Sequence, residues 1–238
     1  MKTSPLRDFF FPSRCCGCDR LTGSTLPFCE DCEKLVIRPS KKTGLCDICG
    51  LHLTECICGK RLYYEKLSAV FYHEGAARKN IFRLKFHARP DIADSYGKAL
   101  EMLLAEREIL DKTDIITFIP MRPFAQLKRG YNQAQLIAKR LSVHTGIPCI
   151  SLLKKEFSTD IQHDLGGLAR SGNLLGVFEP LKDKTEILQG KRILIVDDVC
   201  TTGNTLNEAA KTLLIFGAES VFAATCTVRK KKKTVEQK

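Results

Sequence analysis

The 238-residue chain contains no tryptophan, only three methionines and no run of about eighteen apolar residues. The first two absences exclude nothing by themselves. The third argues against a membrane-spanning helix, which needs about 20 predominantly apolar residues. No secretory leader is expected either. The apolar patch at residues 9–11 (FFF) is shorter than a signal-peptide core, and no small-residue cleavage site follows it. We expect a cytoplasmic protein without membrane insertion. Residues 9–11 either pack against the segment that follows or touch a membrane surface from outside.

Cysteine is scarce over most of the chain. Only Cys149, Cys200 and Cys226 lie beyond residue 58, while nine of the twelve fall between Cys15 and Cys58. Without a leader, a disulfide framework is not expected, and close pairing then favours a metal. The pairs are CxxC at Cys15/Cys18, Cys29/Cys32 and Cys46/Cys49, followed by CxC at Cys56/Cys58. A CxxC turn aims two sulfurs at one ion, and two such turns complete a tetrahedron. The first two pairs are expected to hold one structural zinc, and the last two a second. Cys16 is then a spare thiol, and His52 could replace a cysteine of the second set. A segment with so few apolar residues needs such a staple to fold. Four protein ligands per ion leave no open position for catalysis.

Acids are outnumbered, 27 against 38 Lys and Arg, for a formal charge of +11. The run RKKKK at residues 229–233 supplies five of these charges. Eight thiolates around two zinc ions would remove about four more, so the body is only mildly basic. Such a tail either keeps the terminus solvated or attracts nucleic acid. We expect three regions: a cysteine-rich zinc module over residues 1–62 resembling a double zinc ribbon, a larger domain over 63–228, and a basic, disordered tail over 229–238.

Within 63–228, strands are predicted at residues 67–73, 114–120, 149–153, 192–198 and 219–228. Helices are predicted at 76–88, 91–109, 132–145 and 203–217, the first with Ile81, Phe82 and Leu84 at helical spacing. Alternating strands and helices imply an α/β domain with a parallel sheet flanked by helices, and functional loops at the carboxyl ends of its strands.

The segment ILIVDDVCTTGNTL, residues 193–206, is the most specific motif. A buried strand ends in Asp197 and Asp198. Thr201, Thr202, Gly203, Asn204 and Thr205 then open a helix. Small residues let backbone N–H groups approach an anion, and the helix N-terminus favours negative charge. Two acids beside such a cradle repel a bare phosphate, but a ligand carrying both a phosphate and a sugar diol removes the conflict. An ordinary strand–helix junction with Thr201 or Thr202 as N-cap explains the threonines but not the acid pair.

This motif resembles that of type I phosphoribosyltransferases, which bind phosphoribosyl pyrophosphate (PRPP). The resemblance implies that Asp197 and Asp198 take the ribose hydroxyls and residues 201–205 the 5′-phosphate. Some enzymes of that class carry an acid in this loop as general base. Thr201 stands there instead, and a hydroxyl cannot take a proton near neutral pH.

Two further segments narrow the resemblance: FIPMRPFAQLKRGYNQAQLIAKRL at 118–141, with RGYNQ at 129–133, and TDIQHDLGGLARSGNLLGVF at 159–178, with Gln162, Arg170 and Asn173. With the cysteine pairs and the PRPP motif, these look like the ComF family of competence proteins, over nearly the whole chain. The resemblance implies PRPP binding with Mg²⁺, a role for Arg122 on the pyrophosphate, and a closing hood over residues 155–173 that includes Gln162 and Arg170. Lys128 and Arg129 either join Arg122 or face solvent. It implies single-stranded DNA and DNA-uptake proteins as partners in natural transformation. Pentosyl transfer from PRPP and regulatory PRPP binding without catalysis both stay open, as does the acceptor.

Overall fold

Three apolar runs of four, residues 69–72, 193–196 and 221–224, lie in neighbouring strands of one sheet. The computed structural model describes residues 14–22, 26–38, 44, 46, 48–49, 53–56, 62–87, 89, 91–155 and 177–230. Residues 9–11, His52, Cys58, Gln162, Arg170, Asn173 and the tail beyond Lys230 lie outside the described residues.

In chain order the strands are β1 (Leu67–Tyr72), β2 (Ile115–Phe118), β3 (Leu153–Lys155), β4 (Phe178–Pro180), β5 (Arg192–Cys200) and β6 (Ser220–Val228). The helices are α1 (Glu30–Glu33), α2 (Gly75–Phe86), α3 (Asp91–Glu106), α4 (Pro123–Arg129), α5 (Gln133–Thr145), α6 (Thr185–Leu188) and α7 (Asn204–Ile215). The main sheet has the order β1-β6-β5-β2, and all three pairings are parallel. β3 and β4 form a separate antiparallel pair.

β5 and β6 sit at the centre and are covered on both faces, which is why both are apolar almost throughout. Leu194, Val196, Phe222 and Ala224 turn to one face and meet Ile81 of α2, Leu100 of α3 and Ile137 of α5. Ile193, Ile195, Val221 and Ala223 turn to the other and meet Leu206, Ala210 and Leu213 of α7. The alternation follows from the two-residue repeat of a strand. At the amino ends, Asp114 ties β2 to β5: its carboxylate accepts the Arg192 backbone N–H at 2.8 Å and the Arg192 Nη2–H at 2.8 Å. The guanidinium holds Asp114 down at about 2. α3 and α5 approach closely at Gly97, where a Cβ would lie 2.9 Å from Arg140 Cβ.

The cysteine segment packs onto this body. Cys15, Cys16, Phe28 and Cys32 belong to the same core as Val70, Phe71 and Tyr96. The Phe28 ring meets Phe71 edge-on at 6.1 Å. Asn80 of α2, 1% exposed, donates to the Cys16 carbonyl at 2.8 Å. The Asp19 carboxylate accepts from Arg83 at 3.2 Å and Arg89 at 3.0 Å.

The structure corrects several expectations. Phe82 is 52% exposed; helical spacing alone does not say which of Ile81, Phe82 and Leu84 faces the core. The strand expected at 149–153 is a single bridge, Ile116 to Cys149, after which the chain leaves the sheet for β3. β5 runs on through the acid pair to Cys200, because Asp197, Val199 and Cys200 keep pairing with Thr225, Thr227 and Val228. The helix expected to reach residue 109 stops at Glu106, where Glu108 adopts a positive φ of 54°. Residues 123–129, outside the predicted helices, form one as well.

Candidate functional site

The acid pair lies at the carboxyl edge of the sheet. Consecutive strand residues point to opposite faces, so the two carboxylates leave β5 on different sides, yet both line one cleft. Asp198 turns toward α2, where Lys85 Nζ sits 2.9 Å from its Oδ2. Asp197 Oδ1 accepts the backbone N–H of Asp198 at 2.8 Å. Burial pushes the Asp197 carboxyl well above the ordinary carboxylate range, and the charge of Asp198 pushes it further, while Lys85 and Lys155 oppose the rise. An extra cation or a hydroxyl donor would relieve this site.

The turn after β5 follows the motif. Gly203 is the N-cap of α7 with φ 76° and no side-chain cap. Neither threonine takes that position, although Thr202 Oγ1 accepts a long bond from Asn204 N–H at 3.4 Å. Apart from that long bond, no side chain caps the first turn of α7 among the described residues, an arrangement that suits an anion. Thr201, Thr202, Asn204 and Thr205 are exposed and Gly203 is buried; a buried glycine brings backbone close to whatever occupies the turn.

The opposite wall comes from the segment after β2. Pro123 opens α4 and Gly130 closes it with φ 83°. Arg122 is its N-cap residue, and Arg129 in its last turn donates to Gln133 Oε1 at 2.8 Å. The buried Asn132 holds this wall in place: its Nδ2 donates to the Ile119 carbonyl at 2.9 Å, and its Oδ1 caps α5 by accepting from Gln135 N–H. The Tyr131 hydroxyl donates to the Leu84 carbonyl and anchors the wall to α2.

Between the walls is a cleft of about 320 Å³ whose polar lining includes Lys85, Arg122, Arg129, Lys155, both acids and Thr205. Of the expected residues among those described, Asp197, Asp198, Thr205, Arg122 and Arg129 line it, whereas Lys128, exposed on α4, and Thr201, Thr202, Gly203 and Asn204 of the turn lie outside the lining. Lys85, Lys155, Asn132 and Gln133 are additions. Asn132 and Gln133 belong to RGYNQ, so the motif pointed at them. Nothing in the sequence separation of Lys85 from Asp198 announces their contact. Arg122, Arg129 and Lys155 line the cleft with Asp197 and the Lys85–Asp198 pair, a set that suits a ligand carrying both anionic groups and hydroxyls.

Away from the cleft, the thiols of Cys15, Cys18, Cys29 and Cys32 lie within 4.8 Å of one another, as do those of Cys46, Cys49 and Cys56. Cys18 and Cys29 Sγ are 3.6 Å apart, and Cys49 and Cys56 Sγ 3.7 Å. A tetrahedron with metal–sulfur bonds of about 2.3 Å has edges of about 3.8 Å, so the donors fit a metal ion.

A family model described as the phosphoribosyl transferase domain matches residues 126–238. Competence protein F of Haemophilus influenzae is 30% identical over 223 residues, covering 89% of this chain and 95% of that protein. DNA utilization protein YhgH of Escherichia coli strain K12 is 33% identical over 189 residues, 74% of this chain and 81% of that protein. Competence protein ComFC of Bacillus subtilis is 24% identical over 212 residues, 88% of this chain and 80% of that protein.

Proposed function

As the chain belongs to the ComF family and carries a phosphoribosyltransferase domain of the type I kind, we propose that it binds PRPP in the cleft at the end of β5 and serves the handling of incoming DNA. The observation that carries the ligand is that Asp197 and Asp198 line one cleft with Thr205, in the first turn of the helix that follows them. In this reading the acids hold the ribose hydroxyls, the amides and hydroxyls of residues 201–205 hold the 5′-phosphate, and Arg122 and Arg129 face the pyrophosphate. Gln162 and Arg170 would close over it from the 155–173 segment. A Mg²⁺ ion fits the two carboxylates, which supply hard oxygen donors; bound with PRPP it would offset charge on the pyrophosphate.

The two cysteine clusters are zinc sites in this reading, the second completed by Cys58 beside Cys46, Cys49 and Cys56. Sulfur-only donor sets select zinc over hard cations. Their work is structural, because the first cluster is part of the core.

DNA handling is supported by the names of the relatives, competence protein F and DNA utilization protein YhgH. A second reading keeps the ligand and drops the chemistry: PRPP regulates a DNA-binding protein that transfers nothing. Thr201 favours it, since it stands where an acid would act as general base. The test is thermal stabilisation by millimolar Mg–PRPP, expected for the wild type and absent in Asp197→Asn/Asp198→Asn. No stabilisation of the wild type defeats the proposal. Pyrophosphate release across a nucleobase panel then separates transfer from regulation.

A further inference from the structure

Helix α2 has an outer stripe that folding does not require. Its inner face, Ala77, Ile81 and Leu84, builds the core. On the outside, Arg78, Lys79, Phe82 and Phe86 recur at three- and four-residue spacing and so share one face. Phe82 and Phe86 are 52% and 59% exposed. Their rings lie 4.8 Å apart, and His87 meets Phe82 edge-on at 5.4 Å. Helix α4 continues the surface: it buries no residue, and Phe124 and Leu127 are 75% and 83% exposed. The Arg129 guanidinium joins the two helices, lying over the Phe86 ring at 5.0 Å.

Single exposed apolar side chains are ordinary, but several on adjoining helices form a patch that needs an occupant. Charge identifies it. Residues 75–87 and 122–131 together hold seven Lys and Arg and no acid. Arg83 and Lys85 of these pair with Asp19 and Asp198; rings interleaved with the remaining cations offer stacking faces and phosphate partners, the two requirements of single-strand binding. A helix lying on a lipid surface instead keeps its apolar face apart from its cations, and on α2 both occupy one stripe.

We infer that single-stranded nucleic acid lies across α2 and α4, stacking bases on Phe82 and Phe86 and placing its phosphates on Arg78, Lys79 and Lys128. This surface abuts the cleft, since Lys85 and Arg129 line that cavity. The strand thereby passes the mouth of the proposed PRPP site. The inference rests on the DNA-handling reading and names the surface that performs it.

The test is fluorescence anisotropy of a labelled oligothymidylate with the full chain at low salt. Phe82→Ala/Phe86→Ala is expected to weaken binding about tenfold or more, by the usual cost of losing base–aromatic stacking. Arg78→Gln/Lys79→Gln is expected to reduce the slope of log K against log salt by about 1.4, about 0.7 for each lost cation. The Phe pair is expected to leave stabilisation by Mg–PRPP unchanged. If the wild type binds the oligonucleotide and neither double variant weakens it, the surface is refuted while DNA handling stands. If the wild type does not bind it at all, both fall and the PRPP reading survives. If the Phe variants lose binding to phosphatidylglycerol vesicles and keep the oligonucleotide, the occupant is a membrane and the inference is wrong.

Discussion

Lys85 Nζ lies 2.9 Å from Asp198 Oδ2, joining α2 to the end of β5. Asp198 is 8% exposed, so a carboxylate without this partner is costly. Lys85→Met is expected to destabilise the ligand-free protein by about 1–3 kcal/mol at neutral pH, the usual cost of a stranded buried polar group. Adding Asp198→Asn to that variant should restore most of the loss. Urea denaturation of the four forms checks both statements.

Asp197 has a second consequence, with a definite sign. Its folded-state pKa is raised, by burial first and by Asp198 next. An acid with a raised folded pKa binds more protons when folded than when unfolded, so stability falls as pH rises from the ordinary carboxylate range through the raised value. Asp197→Asn should flatten that decline in the ligand-free protein. In the wild type, a ligand that brings a cation and hydroxyl donors should expel the proton. Calorimetry in buffers of different ionisation enthalpy would then show proton release near neutral pH.

Asn80 links the first cysteine cluster to the sheet through the Cys16 carbonyl at 2.8 Å. Because Cys15, Cys16 and Cys32 share the core with Tyr96 and Val70, losing the metal should lower the melting temperature of the whole body in one transition. Chelation, with metal content followed by mass spectrometry, is the measurement. Asn80→Ala should act in the same direction by about 1–3 kcal/mol through the unpaired carbonyl.

Gly97 marks a close contact between α3 and α5. A Cβ there would lie 2.9 Å from Arg140 Cβ and 3.1 Å from the Leu141 backbone nitrogen. Gly97→Val should therefore cost about 1–3 kcal/mol through overpacking, read as a lower urea midpoint with an unchanged slope.

Much of this architecture was legible in the chain. Residues 193–196 are apolar at every position because β5 is covered on both faces, and the acids that follow stand out against that run. The cysteine spacing predicted the first thiol cluster. Helix α4 was missed because it buries nothing and so has no apolar periodicity, although Pro123 and Gly130 are the usual opening and closing residues of a helix. Residues 149–153 have the composition of a strand, but the chain meets the sheet only around Cys149, with Ile150 N–H donating to the Ile116 carbonyl, before it turns away; composition does not say where a chain turns. Lys85 was unreadable for a different reason: its partner is more than a hundred residues away, and only the packing of α2 on the sheet brings them together.

The central claim concerns Asp197, Asp198 and residues 201–205. Its most direct measurement is isothermal titration of the full chain with Mg–PRPP. The account predicts one saturable site per chain in the wild type and no measurable heat of binding in Asp197→Asn/Asp198→Asn. Saturable binding of the same strength in both proteins, or none in the wild type, would contradict it.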